Sequence, residues 1–319
     1  MVNARFYKFL FIFALSDTIT MLKCFLMIFL LGFNWATGYA IAAYCISHGL
    51  PAQSYMFWQS FGPFCVICVV AVFKKTSIQY SWYEILYCAI CAVFGVVVPS
   101  YISYFSLQYI DMGVIILFAN CTPFVIYIMA LMLKLESFDF SRMLTVFVAT
   151  IAVAAIVFND NLQNLWLQVH HARPLTLLFL LIIPLCYSTA SVFINRYRVN
   201  LSYMSRSLGM LFFASIAFFP LALKHGIYLP NFNGNISYLL MLEIIISAID
   251  TLLIFYIINN AGAVYYSLVN SITAVVGIMY NIFLYNRHYT STVFVSVSFI
   301  ILSIVVLSVL NVNIKSRSA

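Results

Sequence analysis

Residues 237–258 read SYLLMLEIIISAIDTLLIFYII, twenty-two residues with two acids as their only charges. The hydrocarbon core of a bilayer is about 30 Å thick and takes roughly 20 apolar residues of helix to cross. This stretch is therefore read as a transmembrane helix. The same ruler, moved outward along the chain, gives nine more segments: 24–46, 54–73, 84–108, 112–133, 142–158, 175–195, 205–223, 263–284 and 291–311. The connections are short, with the longest expected around Asn159–Arg173 and Lys224–Ser237, and no soluble domain fits between the helices.

Composition agrees. The chain of 319 residues is 65% hydrophobic and only 7% charged, where a soluble domain carries about 25% charged residues. So few charges cannot cover a water-facing surface. The net charge of +7 does not point to nucleic acid, because the basic residues are scattered between apolar runs and form no stripe. They sort by side instead. The N-terminus, the even-numbered connections and the C-terminus carry Arg5, Lys8, Lys23, Lys74, Lys75, Lys134, Arg142, Arg196, Arg198, Arg206, Lys315 and Arg317. The other side carries Arg173, Lys224 and Arg287, a ratio of 12 to 3. The positive-inside rule then puts both termini in the cytoplasm. Within residues 1–20, Phe9–Leu15 is apolar but too short to span, and Arg5 and Lys8 precede it as in a signal peptide without a clear cleavage site. A surface-lying anchor and a true start at Met21 both remain open.

The connection after the fifth segment divides the chain into two sets of five helices, which must insert with opposite orientation, as in inverted-repeat transporters. A shift of 150 residues lays Asn120 on Asn270, Val125 on Val275, Ile128 on Ile278 and Met129 on Met279, and the turn at Tyr109–Gly113 on Asn259–Ala263. The expected fold is all-α and integral to the membrane, with ten transmembrane helices arranged as two inverted five-helix repeats.

Several stretches have a family likeness. The first segment carries Gly32-Phe33-Asn34-Trp35-Ala36, followed by Gly49-Leu50-Pro51 and Phe57-Trp58-Gln59. A longer stretch runs from Ser106-Leu107-Gln108-Tyr109 through Gly113 to Thr122-Pro123, and closes with Leu133-Lys134-Leu135-Glu136 and Arg142. From about Leu22 onward the chain resembles the drug/metabolite transporter superfamily, in its EamA-like branch of ten-helix carriers. It departs from that pattern at Leu135, where Gly is frequent, and at Thr273 and Asn286, where Pro and Glu are common. The resemblance implies a first repeat over 22–158 and a second over 174–311, with an N-terminal extension at 1–21 and a cytoplasmic tail at 312–319. It also implies a central cavity lined by helices 1–4 and 6–9, with helices 5 and 10 peripheral, and a bacterial inner membrane.

Asp250 is the sharpest single residue. It lies near the middle of the eighth segment, and Glu243 and Ser247 share its face because seven residues make about two turns. An ionised Asp at mid-membrane costs about 2.5–3.5 kcal/mol on insertion scales. Either Asp250 binds a cationic substrate group or a coupling proton, or it is hydrogen-bonded and holds its helix against a neighbour. Glu243, the second proton-coupling candidate, is placed nearer the outer boundary and expected to be hydrated. Asn120, Asn270 and Asn281 need partners in a bilayer, which a wet cavity or a neighbouring helix supplies. Trp35, Tyr39, Tyr104, Tyr127 and Tyr187 lie deeper than an interfacial belt and could stack on a flat or cationic ligand or simply pack. The substrate-binding set is Trp35, Tyr39, Asn120, Tyr127, Tyr187, Asp250, Asn270 and Asn281. Pro63, Pro99, Pro123 and Pro184 are hinge candidates, since each removes a backbone donor; a static kink is the alternative.

The eight cysteines all lie in or beside apolar segments. Cys65-x-x-Cys68 and Cys88-x-x-Cys91 have zinc-ribbon spacing but sit inside the second and third segments, where four thiolates and a metal are costly; no metal is expected. His170-His171 is read as a solvated pair in an outer loop. No phosphate-binding loop, Gly-x-Ser-x-Gly or His-Glu-x-x-His is present. The chain is thus expected to be no enzyme, to carry no cofactor, and to move a small metabolite by alternating access, with proton-coupled export or exchange. Its partners are that small molecule and the lipid bilayer, with a homodimer allowed. A non-transporting membrane receptor or scaffold is the competing class.

Overall fold

The structure is a computed structural model. It describes the backbone of residues 2–76, 78–106, 115, 118–171, 174–197, 199–230, 234–285 and 291–318. Within these, side chains are described except at 2–21, 156–171, 174–178, 281, 284, 285, 292, 304 and 308–318. Among the described residues there is no strand. The helices are α1 (Val2–Ser47), α2 (Ala52–Phe73), α3 (Trp82–Ala92), a π-helical turn (Val93–Val97), α4 (Val98–Ser106), α5 (Thr122–Met132) and α6 (Phe140–His171). Then follow α7 (Pro174–Arg196), α8 (Tyr203–His225), α9 (Asn235–Ala261), α10 (Ala263–Tyr266), α11 (Leu268–Tyr285) and α12 (Ser291–Ser318).

Seven stretches among the described residues are long and apolar enough to cross a membrane: Leu22–Ser47, Ala52–Phe73, Trp82–Ser106, Phe179–Arg196, Tyr203–His225, Asn235–Ala261 and Ala263–Tyr280. Thr122–Met132, Phe140–Ala155 and Val293–Leu307 are shorter apolar helices. Large apolar side chains such as Phe73, Trp82, Met132, Phe212 and Phe299 face outward, as expected where the solvent is lipid.

Helix ends follow local chemistry. Ser81 and Glu84 form a capping box at the start of α3: Ser81 Oγ accepts from Glu84 N, and Glu84 Oε2 accepts from Ser81 N at 2.8 Å. Ser202 Oγ caps α8 by accepting from Ser205 N at 3.1 Å. Asp139 Oδ1 accepts from Ser141 N and Arg142 N at the start of α6. α9 stops at Gly262, whose φ of +91° suits a residue without Cβ.

Two expectations about the connections are corrected. Residues 159–171 do not form a loop but continue α6 to His171, so His170-His171 ends a helix. The ninth segment is not one helix; it breaks at Ser267 into α10 and α11. Pro63 and Pro184 sit inside α2 and α7, while Pro123 stands in the first turn of α5, where its missing N–H costs no hydrogen bond. Pro99 follows the π-helical turn, and such turns absorb an extra residue where the backbone ladder is broken.

The principal helix contacts are α2 with α8, α6 with α12, α1 with α9 and α11, α9 with α2, α7 with α5 and α4, and α3 with α8. Small residues let the central helices approach closely. A Cβ on Gly62 of α2 would collide with Ile244 of α9, and one on Gly209 of α8 would lie 2.5 Å from Cys88 Sγ of α3. Gly62→Ala and Gly209→Ala are each expected to destabilise the bundle by about 1–3 kcal/mol, the usual effect of overpacking, read as a lower thermal midpoint in detergent. Unchanged midpoints would contradict this close approach. The α8–α9 connection is tied to α2, with Trp58 Nε1 donating to Tyr228 O at 2.8 Å and Ser54 Oγ accepting from Tyr228 N at 2.9 Å.

Candidate functional site

A cavity of about 140 Å³ lies between helices from both parts of the chain. α1 contributes Asn34, Trp35, Gly38 and Tyr39; α2 contributes Gln59; the π-helical turn and α4 contribute Gly95, Ser100, Ser103 and Tyr104. Tyr187 and Ser191 come from α7, Met210 from α8, Glu243, Ser247, Asp250 and Thr251 from α9, and Tyr266 from α10. The helical spacing of Glu243, Ser247 and Asp250 turns all three to one side of α9, so a single helix supplies both acids.

Each carboxyl is held by neutral donors. Asn34 Nδ2 donates to Asp250 Oδ1 at 2.6 Å, joining α1 to α9. Glu243 Oε1 accepts from Gln59 Nε2 at 3.0 Å and from Ser247 Oγ at 2.9 Å. Tyr104 OH in turn donates to Gln59 Oε1 at 3.2 Å, which fixes the amide so that its NH₂ faces Glu243. Glu243 is 2% exposed and Asp250 6%. Glu243 Oε2 is buried with no hydrogen-bond partner. The expectation that Glu243 is hydrated at an outer boundary is therefore corrected. A Cβ on Gly38 would lie 3.0 Å from Glu243 Oε2, so the small residue makes room for this oxygen. No Lys, Arg or His lines the cavity among the described residues. The aromatic wall is continuous: the Trp35 ring centroid is 6.1 Å from that of Tyr187 and 6.3 Å from that of Tyr266.

Of the residues singled out from sequence, the cavity gathers Trp35, Tyr39, Tyr104, Tyr187, Glu243 and Asp250. Asn120, Tyr127 and Asn270 are buried but do not line it. Tyr127 instead ties the α5–α6 connection, its hydroxyl accepting from Asp139 N and donating to Asp139 O, both at 3.0 Å. The side chain of Asn281 lies outside the described residues, as do Tyr109–Gly113 and Asn286. Sequence reasoning missed the roles of Asn34 and Gln59. Both are amides in apolar segments, the signal that drew attention to Asn120 and Asn270, but they were quoted only as parts of longer motifs.

A second cavity of about 440 Å³ lies between α2, α3 and α8, with Phe64, Cys68, Ile85, Cys88 and Phe212 among its lining and no charged side chain. The two Cys-x-x-Cys pairs do not form a centre: among the described residues no group of three or more His, Cys, Asp or Glu side chains is placed to hold a metal ion.

Residues 22–158 match the model of the EamA-like transporter family. No curated protein matches the chain. A solved protein crystal structure superposes with a TM-score of 0.71 over 93% of this chain and 98% of its own, at 11% identity; at that identity the likeness concerns the fold alone.

Proposed function

We propose that this multi-pass membrane protein, whose residues 22–158 match the model of the EamA-like transporter family, a family of membrane transporters rather than enzymes, is a secondary carrier that moves a small metabolite by alternating access. The observation that carries the reading is the cavity: set between helices of both parts of the chain, lined by two buried acids and an aromatic wall, and free of fixed positive charge among the described residues. Buried acids at membrane depth mark ion and substrate paths. Asp250 and Glu243 are the coupling candidates, and Trp35, Tyr39 and Tyr187 the cargo-facing aromatics. Asn120, Tyr127 and Asn270 then belong to the packing around the path, and Pro63, Pro99, Pro123 and Pro184 to its hinges.

The carrier has ten spans in this reading, the seven long apolar stretches and the three shorter helices (7 + 3), arranged as inverted repeats over 22–158 and 174–311. The packing pairs support that symmetry. Exchange α1 with α7, α2 with α8, α3–α4 with α9, α5 with α10–α11 and α6 with α12. The pair α1–α9 then becomes α7–α4, α1–α11 becomes α7–α5, and α2–α9 becomes α8–α3, while α2–α8 and α6–α12 map onto themselves. Both termini face the cytoplasm, on the 12-to-3 distribution of Lys and Arg, and the family resemblance favours a bacterial inner membrane; residues 1–21 precede the first repeat and 312–319 form the tail, and a homodimer is compatible.

The test is uptake into proteoliposomes of a mixed pool of labelled amino acids, nucleobases and organic cations, with and without a pH gradient. Accumulation that requires the gradient is expected. Folded protein that moves no compound would favour a non-transporting receptor or scaffold.

A further inference from the structure

The two acids of the cavity are not equivalent. Asp250 is bound by Asn34 at Oδ1. Glu243 is anchored through Oε1 alone, by Gln59 and Ser247, and its Oε2 is buried with no partner. Glu243 belongs to the lining of a cavity with no Lys, Arg or His among its described lining residues. Leaving a buried acceptor unsatisfied is costly, and most so for a charged one. Gly38 packs against the carboxyl, where a Cβ would press on Oε2 at 3.0 Å. An anion would meet two carboxyls with nothing to offset them; a donor cation would satisfy Glu243 Oε2 and lie against the faces of Trp35 and Tyr187, which attract cations.

Size narrows the class. About 140 Å³ is close to the roughly 150 Å³ of an engineered apolar cavity that takes one benzene molecule. Glu243 and Asp250 are seven residues apart on one helix, about 10 Å along its axis, so one ammonium cannot bridge them. We propose that the cavity binds a small organic monocation, an ammonium on a flat apolar group of about benzene size, with Glu243 as its counter-ion and Trp35 and Tyr187 against the flat group. Asp250 then remains for coupling. The inference rests on the carrier reading for its meaning as cargo, but not for its binding.

The test uses three isosteric probes, benzylammonium, benzyl alcohol and benzoate, on purified full-length protein in detergent, read by tryptophan fluorescence and thermal midpoint. Benzylammonium is expected to bind at least about 10-fold more tightly than either other probe, and Glu243→Gln to remove that preference, in line with the strength of hydrogen bonds to charged groups. Asp250→Asn is expected to weaken benzylammonium binding clearly less than Glu243→Gln does, because the charge it removes lies some two turns away from the ammonium. Since the probe ranking is read on the unaltered protein, misfolding of a variant cannot decide it. Equal binding of all three probes, preferred benzoate, no binding by folded protein, or an equal loss in the two variants would each overturn the assignment. Benzylammonium binding without flux of any compound would retain the cation site and reject the carrier. Flux of other compounds without benzylammonium binding would do the reverse.

Discussion

Asp250→Asn is expected to reduce gradient-driven uptake in proteoliposomes by about 100-fold or more, with little change in thermal midpoint. The structural role of Asp250 is to accept one hydrogen bond, from Asn34 Nδ2 at 2.6 Å. The amide oxygen of an asparagine can accept the same bond, and the two side chains are nearly the same size, so the contact between α1 and α9 survives. What disappears is the negative charge and the oxygen that takes up a proton. Loss of one partner from a buried charged interaction costs about 2–5 kcal/mol, and each 1.4 kcal/mol is about a factor of ten. Uptake unaffected by the change would make Asp250 a packing residue. A collapsed thermal midpoint would show that the charge itself holds the helices. Asn34→Leu provides the complementary case: it leaves the acid without its donor, and the midpoint should fall by an amount corresponding to roughly 1–3 kcal/mol.

The second large effect is expected away from the cavity. Arg142, at the start of α6, pairs with Glu136 in the α5–α6 connection, Nη1 to Oε2 at 2.5 Å, with side-chain exposures of 6% and 18%. Burial raises the Glu136 carboxyl above its ordinary range, and the guanidinium pulls it back only in part. Removing one member of such a pair typically costs about 3–5 kcal/mol, whereas replacing both with apolar residues of similar volume is often neutral. Glu136→Leu is therefore expected to destabilise the protein by about 3 kcal/mol, and Glu136→Leu with Arg142→Met to recover most of that loss. Thermal midpoints of the two single variants and the double variant test this; a double variant no more stable than Glu136→Leu would show that Arg142 serves other contacts more than this one.

The sequence discloses membrane helices because an apolar stretch of bilayer length is a one-dimensional signal. It does not disclose where those helices stop. Residues 159–171 were expected to be a loop because they are polar, yet they contain neither Gly nor Pro and continue α6; a hydrophobic ruler measures the bilayer rather than the helix. The break at Ser267 is likewise silent, with no Gly or Pro at the junction. Asp250 was legible because an acid at mid-span is rare. Glu243 was misplaced because depth counted along one helix ignores Gln59, Ser247 and Gly38, of which two arrive from other helices. Asn34 and Gln59 show the same limit: an amide's role depends on which helix faces it. The two acids also break the internal symmetry. Under the 150-residue shift Asp250 falls on Ser100 (250 − 150), and both line the cavity, but Glu243 falls on Val93 (243 − 150). In the proposed inverted-repeat arrangement, only one half carries the charge.

The length of α6 has a practical consequence. Its 32 residues make a rod of about 48 Å at 1.5 Å per residue, against a hydrocarbon core of about 30 Å. With α6 as one of the proposed spans, the polar end, Asn159–His171, would stand clear of the lipid as an unbroken continuation of a helix packed against α12. A small, almost wholly buried membrane protein offers imaging few recognisable landmarks, and a marker domain joined by a flexible loop does not supply one. A helical fusion grown in register from this projecting end would transmit the orientation of the bundle to the marker, and so make particles of this size alignable.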